Sequence, residues 1–329
     1  MAVLVTGGAG YIGSHMVLEL VDAGESVVVL DDLSTGFRNS IPAEATLVTG
    51  DMGDQALVTR LIGEHGIDSI AHFAAKIVVP ESVSDPLGYY LNNTVKSRAL
   101  VEAAVKAGVK NLIFSSTAAV YGEPNVNPLP EDLALAPINP YGRSKLMTEW
   151  MIKDTAQAHD LHYAILRYFN VAGADPKGRS GQSTPNATHL IKVAAQAALG
   201  QRPFLQVFGT DYPTPDGSCV RDYIQVTDLA RAHTAALAHL RRGGENLTLN
   251  CGYGRGFSVL EVVETVKRVS GQDFEVRYAP RRAGDPAALV AKVDRVRAEL
   301  GWTPQFEDLS VIVEQALRWE RSLGERRAA

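Results

Sequence analysis

The chain reads as an α/β protein, a doubly wound parallel sheet followed by a smaller C-terminal lobe. Three observations lead there. Short β-branched runs alternate with longer segments of helical period, as parallel strands joined by helical crossovers do. The first strand runs directly into a glycine-rich turn, TGGAGYIG, that opens a helix. Beyond Asn170 the alternation fades, and Gly, Pro and polar residues gather in ADPKGRSGQSTPNAT and GTDYPTPDGS, compositions that make loops.

In order, AVLVT forms the first strand and Tyr11 to Ala23 the first helix, followed by strands SVVVL and ATLVTG. A helix over Leu57 to Glu64, the strand DSIAHFA, a helix over Asn92 to Ala107 and the strand NLIFSS continue the alternation. A helix beginning near Tyr141 leads to the strand HYAILRYFN. Loops as long as those past Asn170 usually bind something in a compact enzyme.

With 329 residues, the chain is long enough to bury a substantial core in one large domain or two lobes. Apolar residues make up 46%, charged residues 21%, and the net charge is -5, a balance that speaks against nucleic-acid partners. Cys219 and Cys251 are too few for a disulfide framework, which fits a reducing cytoplasm. The N-terminus MAVLVTGG lacks the features of a secretory leader, and no apolar run approaches the ~18 residues of a membrane span. A soluble, cytoplasmic protein is expected, and no metal site.

Gly8, Gly10 and Gly13 fit G-x-G-x-x-G, and Gly7, Gly10 and Gly13 fit G-x-x-G-x-x-G. Missing side chains let a pyrophosphate approach the free N–H groups at the start of the following helix. Asp31 ends the second strand 18 residues after Gly13, where a carboxylate accepts from both ribose hydroxyls. It would repel a 2′-phosphate, and Arg38 comes too late to compensate, so NAD is favoured over NADP. Residues 1–169 with 222–250 are therefore expected to form a Rossmann dinucleotide-binding domain, and residues 170–221 with 251–329 the substrate lobe.

In NPYGRSKLMTEW, Pro140 suits the first turn of a helix, and Tyr141 and Lys145, at i and i+4, share a face. A phenol with pKa near 10 is only about 0.1% ionised at pH 7, so its use as a base requires roughly 4 kcal/mol of phenolate stabilisation. A neighbouring ammonium and a cationic nicotinamide ring both supply it. Such a phenol takes a hydroxyl proton while hydride leaves the same carbon for the ring. Ser115, Ser116 and Thr117, ending the strand from Asn111, offer hydroxyls to orient the substrate or simply to cap the next turn.

With TGGAGYIG, Asp31, GDMGD, HFAA, FSSTAAVYG, YGRSK and RYFN in order, the chain resembles the extended short-chain dehydrogenases/reductases. FGTDYPTPDGSCVRDYIQVTDLA and APRRAGD are similar to the substrate-lobe motifs of UDP-glucose 4-epimerases, so the likeness covers nearly the whole chain. The resemblance implies that Tyr141 is the base, Lys145 its electrostatic partner and ribose ligand, and Thr117 the hydroxyl on the sugar's 4-oxygen. It implies an NAD site lined by Tyr11, Ile12, Asp31, Asp51, Met52, Phe73, Ala74, Ala75 and Asn92, with Phe169 near the nicotinamide. Asn170, His189, Leu190, Phe208, Arg221 and Arg282 match positions that hold UDP, and Leu289 borders the sugar pocket. Arginine suits phosphate because its planar fork bonds oxygens in pairs.

The chain departs from this pattern at two places. Ile77 stands where many relatives carry lysine, leaving open whether Lys76 reaches the cofactor, and His189 stands where some have asparagine. The implied reaction is epimerisation of a UDP-hexose at C4 through a transient 4-keto sugar. A 4,6-dehydratase would place an acid pair where Ala118 and Ala119 follow Thr117, and a noncatalytic NAD-sensing protein would have little use for the Tyr–Lys pair. The resemblance also implies a homodimer built on the helices from Asn92 and Tyr141. Leu100, Val101, Ala104, Leu146, Trp150 and Met151 then face either a partner or their own sheet.

Overall fold

The computed structural model describes residues 2–185, 187–282 and 284–328. Its N-terminal half runs β1 (Ala2–Thr6), α1 (Tyr11–Asp22), β2 (Ser26–Asp31), β3 (Thr46–Thr49), α2 (Gln55–His65), β4 (Ile67–His72), α3 (Val79–Ser84), α4 (Pro86–Tyr89), α5 (Lys96–Lys106), β5 (Asn111–Thr117), α6 (Pro140–Ala158) and β6 (His162–Tyr168). The remainder runs β7 (Asn170–Ala172), α7 (Leu190–Ala198), β8 (Leu205–Phe208), β9 (Val220–Gln225), α8 (Val226–Arg241), β10 (Leu247–Cys251), β11 (Gly256–Ser258), α9 (Val259–Ser270), β12 (Val276–Ala279), β13 (Ala288–Leu289), α10 (Asp294–Leu300) and α11 (Leu309–Ala328).

Seven strands form one parallel sheet in the order β10-β6-β5-β4-β1-β2-β3. Strand order reverses between β1 and β4, a switch point of the kind beyond whose carboxyl ends α/β sheets bind ligands. Alternation along β1 divides the core. Val3 and Val5 pack with Met16, Val17, Leu229 and Ala232 on the α1–α8 face, while Ala2 and Leu4 pack with Val58, Leu61, Leu100 and Val101 on the α2–α5 face. The first cluster continues into the C-terminal lobe through Ile191, Val262 and Ile312, so one apolar core joins sheet and lobe.

The chain leaves the sheet at Phe169, and Asn170–Ala172 becomes β7 of a small second sheet. There β9 lies between β11 and β13 and also pairs with β7. Strand β9 spans the expected boundary at residues 221 and 222, and β10 returns to the main sheet. The helix expected from Asn92 begins as a π-helical stretch, Tyr90–Val95. Its wider turn sends Asn93 inward, where its carboxamide bonds both backbone groups of Lys76 and reaches Ser144. No described helix is long and apolar enough to cross a membrane.

Leu100, Val101, Ala104 and Leu146 are buried against their own sheet and the adjoining loop cluster, which removes them from any partner-facing surface. Met151 is half-buried. Trp150 is 52% exposed, and Met147 on the same helix and Leu87, Leu91 and Val95 in the segments packed against α6 are exposed as well.

Candidate active site

The glycine turn is shaped by two different constraints. Gly7 has φ 71°, and a Cβ there would lie 2.5 Å from the Ala74 nitrogen. A Cβ on Gly13 would sit 2.1 Å from the Gly7 carbonyl oxygen. These two are glycine because the fold leaves no room. Gly10 differs: its φ is -76°, and the Gly7 oxygen, at 3.3 Å, is all that a Cβ would meet. The space beside Gly10 therefore opens outward at the start of α1, whose first N–H groups, at Tyr11 and Ile12, have no acceptor within the helix. This cradle fits a dinucleotide pyrophosphate.

Asp31 closes the other side. Its Oδ2 accepts from Ala9 N–H at 2.9 Å and its Oδ1 from Leu33 N–H at 2.8 Å. Burial raises its pKa despite those two bonds. Each oxygen keeps a lone pair for a ribose hydroxyl, so the carboxylate both shapes the loop and remains able to bind. Arg38 points instead to Thr49.

Phe73 and Ala74 follow β4, and their N–H groups both donate to the Thr6 carbonyl, pinning this segment and the half-buried Ala75 beside the glycine turn. Asp51 accepts from Lys96 and from Gly53 N–H; burial opposes these bonds, but they prevail and hold its carboxyl below the usual range. Met52 is buried beneath it in the α2-side core. Asn92 lies half-buried and donates to Asn93. The ammonium of Lys76 lies between Glu81 and Asp85 and over the Tyr89 ring, engaged by α3 and α4.

Tyr141 and Lys145 are brought against the end of β5. Asn139 caps α6 by accepting from Gly142 N–H, and Pro140 follows in the first turn. Lys145 Nζ donates to the Ser115 carbonyl at 2.9 Å and lies 4.9 Å from the Phe114 ring centroid. Burial lowers the Lys145 pKa to about 7, against the pull of Glu149. Burial raises that of Tyr141, while a hydrogen bond with the Thr117 side chain lowers it in part. Of the three hydroxyls ending β5, Ser115 bonds the Tyr168 phenol at 2.6 Å and Ser116 donates to Glu149 at 2.6 Å. Thr117 stands beside Tyr141 and also accepts from Ala119 N–H, which bears out the capping of the next turn. Phe169 packs between the main core and the cluster holding Ala118, Tyr121 and Leu146.

Residues matched to UDP fall in two groups. Asn170, His189 and Leu190 line one cavity with Tyr11, Gln182 and Tyr223. His189 Nδ1 is 3.3 Å from the Gln182 amide, and burial, then Lys192, lowers its pKa. In the second group, Arg282 stacks over Phe208 with its guanidinium carbon 3.8 Å from the ring centroid. Arg221 Nη2 is 3.4 Å from Asp285, and Leu289 is its register partner across β9 and β13. Leu289 also packs against the cluster of Ala118, Tyr121, Leu129 and Leu146. Sequence reasoning passed over Tyr223 and Gln182. Tyr223 was signalled by its i+2 spacing from Arg221 in VRDYIQ, which puts both on one face of a strand.

A strand–glycine–helix cradle, a buried Tyr–Lys pair at the end of the fifth strand and an arginine-bearing second lobe define a dinucleotide-dependent enzyme. Residues 3–252 match the NAD dependent epimerase/dehydratase family, and the chain belongs to it. It is 60% identical to the UDP-glucose 4-epimerase of Azospirillum brasilense over 98% of this chain and 92% of that one. The crystal structure of UDP-glucose 4-epimerase from Brucella ovis in complex with NAD superposes with a TM-score of 0.94 at 45% identity, covering 96% of this chain and 97% of that one. The enzyme from Stenotrophomonas maltophila, solved with bound NAD and formylated UDP-arabinopyranose, gives 0.96 at 41% identity over both full chains.

Proposed function

We propose that this chain is an NAD-dependent isomerase that interconverts UDP-galactose and UDP-glucose by inverting C4. The observation that carries the reading is Tyr141 and Lys145 meeting Thr117 at the end of β5, beside the glycine cradle. Gly7, Gly10 and Gly13 with the N–H groups of Tyr11 and Ile12 hold the pyrophosphate, and Asp31 the adenosine ribose. Asp51, Met52, Phe73, Ala74, Ala75 and Asn92 line the rest of the cofactor site, and Phe169 borders the nicotinamide. When bound, NAD would supply a reversible hydride acceptor for C4, so the reaction would have no net redox change.

The residues of the chain supply the remaining steps. Thr117 orients the 4-oxygen, Tyr141 takes its proton and gives it back after the transient 4-keto sugar has turned over, and the Lys145 charge stabilises the phenolate. Turning over demands that the nucleotide be held firmly and the sugar loosely. Arg221 and Arg282 grip the diphosphate, Asn170, His189, Leu190 and Phe208 the uridine end, and Leu289 borders the sugar. Residues 1–169 with 222–250 thus carry the cofactor, and residues 170–221 with 251–329 the nucleotide sugar. A dehydratase is disfavoured because Ala118 and Ala119 offer no proton donor.

This reading implies a cytoplasmic enzyme of galactose metabolism acting as a homodimer. The exposed apolar face of Leu87, Leu91, Val95, Met147 and Trp150 supports the dimer, since a monomer leaves large apolar patches uncovered at a cost. Sedimentation of Leu91→Glu/Trp150→Glu should then give a monomer where the parent gives a dimer. The function itself is tested by incubating the purified protein with UDP-galactose and assaying UDP-glucose. Formation of UDP-glucose without added reductant is expected; no conversion, or release of a 4-keto-6-deoxy sugar, overturns the reading.

A further inference from the structure

Beneath the Tyr–Lys pair lies a buried charge cluster that the mechanism above does not use. Glu149 is one turn along α6 from Lys145, on the same face, and is fully buried. Arg167 on β6 grips both its oxygens, Nε to Oε1 at 2.9 Å and Nη2 to Oε2 at 2.6 Å. Ser116 donates to the same Oε1 at 2.6 Å, and Lys153 Nζ is 3.9 Å from Oε2. One carboxylate thus stands among Lys145, Lys153 and Arg167. Ser116 bonds Glu149 while its neighbour Ser115 accepts from Lys145, so the same two residues of β5 fix both ends of this turn of α6.

We propose that Glu149 is a positioning residue for the reaction: anchored by Arg167 and Ser116, it supplies the buried negative charge that balances the Lys145 ammonium beside Tyr141. The inference rests on the assignment of Tyr141 as base. Among the described residues, the other ionisable groups around the pair and Glu149 are His72 on β4, Tyr163 and Tyr168 on β6 and Tyr89 on α4, which faces Tyr141. None is an acid that ionises near neutral pH. His72 is held neutral by burial and by Lys145 itself. Glu149 is accordingly the anion that favours the charged form of Lys145, against the loss of hydration that disfavours it.

Removing that charge makes Lys145 lose its proton at lower pH. The phenolate then loses its cation at lower pH, whereas on the acid limb Lys145 is charged in parent and variant alike. The pH window of turnover therefore narrows from its alkaline side, by on the order of one unit. Because Glu149→Gln leaves Arg167 uncompensated and risks misfolding, Glu149→Gln/Arg167→Met is made alongside it, and the variant that retains bound NAD is assayed. Glu149→Asp should restore the parental width, and Ser116→Ala, which loosens the anchor without changing charge, should leave the width unchanged. A variant profile that keeps the parental shape and is merely scaled down overturns the proposal, as does Ser116→Ala narrowing it equally. Lys145→Met separates the two levels. If that variant turns over normally, the Tyr–Lys reading itself fails; if it is inactive while the Glu149 variants keep the parental shape, only this inference fails.

Discussion

As the proposed base, Tyr141 starts with the wrong acidity, because burial raises the phenol and the Thr117 hydrogen bond offsets this only in part. On that reading the Lys145 ammonium, itself lowered to about 7 by burial, supplies the correction. Tyr141→Phe removes the proton acceptor while the ring still packs, and turnover should fall about 10²- to 10⁴-fold with NAD still bound. Measured kcat and cofactor content of the purified variant check this, and near-normal turnover would remove Tyr141 from the role. The glycines give a second contrast at the same scale. Gly13→Ala drives a Cβ to 2.1 Å from the Gly7 oxygen, backbone against backbone, and should lower the melting temperature as well as NAD content. Gly10→Ala needs only a few tenths of an ångström of relief at its 3.3 Å contact. It should fold like the parent yet bind NAD at least about tenfold more weakly, because its methyl fills the cradle. If Gly10→Ala keeps its cofactor, the pyrophosphate does not sit there.

Strand β13 is two residues long, yet it ties three parts of the molecule together. It pairs with β9 at Arg221, and just beyond it Val290 N–H donates to the Asn127 side chain while Leu129 N–H donates to the Val290 carbonyl and the Leu129 carbonyl accepts from Lys292 N–H. Leu289 is therefore fixed between an arginine assigned to the diphosphate and a cluster containing Ala118 and Tyr121. On the proposed reading, in which Leu289 borders the sugar, its side chain occupies volume an acetamido group would need. UDP-glucose and UDP-galactose should be the preferred pair, with UDP-N-acetylglucosamine turned over poorly. Leu289→Ala should raise kcat/KM for the acetylated sugar relative to the plain one by roughly 5- to 150-fold, the equivalent of about 1 to 3 kcal/mol of relieved overpacking. Because Leu289 also packs against its neighbours, the variant should melt at lower temperature too. A fall in melting temperature with an unchanged ratio would leave Leu289 a packing residue and nothing more.

At the scale of the whole chain, legibility in sequence followed the range of the contacts. Six of the seven main-sheet strands could be read because each is a short β-branched run, and β1, β3 and β4 are each followed by a helix, whereas β10, which returns to the sheet from the second lobe, was not among them; the glycine turn and the Tyr–Lys pair each lie within a few residues. The small sheet could not, since β7, β9, β11 and β13 come from four separated segments whose pairing no local pattern announces. Helical period found the inward apolar face of α5 but missed the outward one at Leu91 and Val95, because a π-helical stretch shifts the register there. Nor did the sequence disclose a whole-molecule liability to acid. His15, His72 and His233 are each at most 1% exposed. His15 and His233 bond a helix carbonyl through Nδ1, leaving a buried Nε2 with no partner among the described residues. Ser97 donates to the Asn93 carbonyl, so His72 Nε2–H donates to Ser97 and its Nδ1 accepts from Thr6. A second proton on any of the three rings would place a charge in the core. Burial accordingly lowers the pKa of His15 and His233 to about 4 and that of His72 to about 3. The unfolded chain takes up these protons near pH 6.5 and the folded chain does not, so stability is fully present above pH 6.5 and is lost as pH falls toward 4. At pH 5 the loss is on the order of 2 kcal/mol per histidine, comparable in sum to the lower end of a domain's stability. Denaturant unfolding between pH 7 and 5 should show stability falling with pH, offset in part by Asp222, whose burial-raised pKa of about 6 lets the fold take up a proton that the unfolded chain does not. His233→Phe, which keeps a ring against Phe73 and Tyr168, should reduce the slope of that fall by about one proton; an unchanged slope would mean that His233 already carries its charge in the fold.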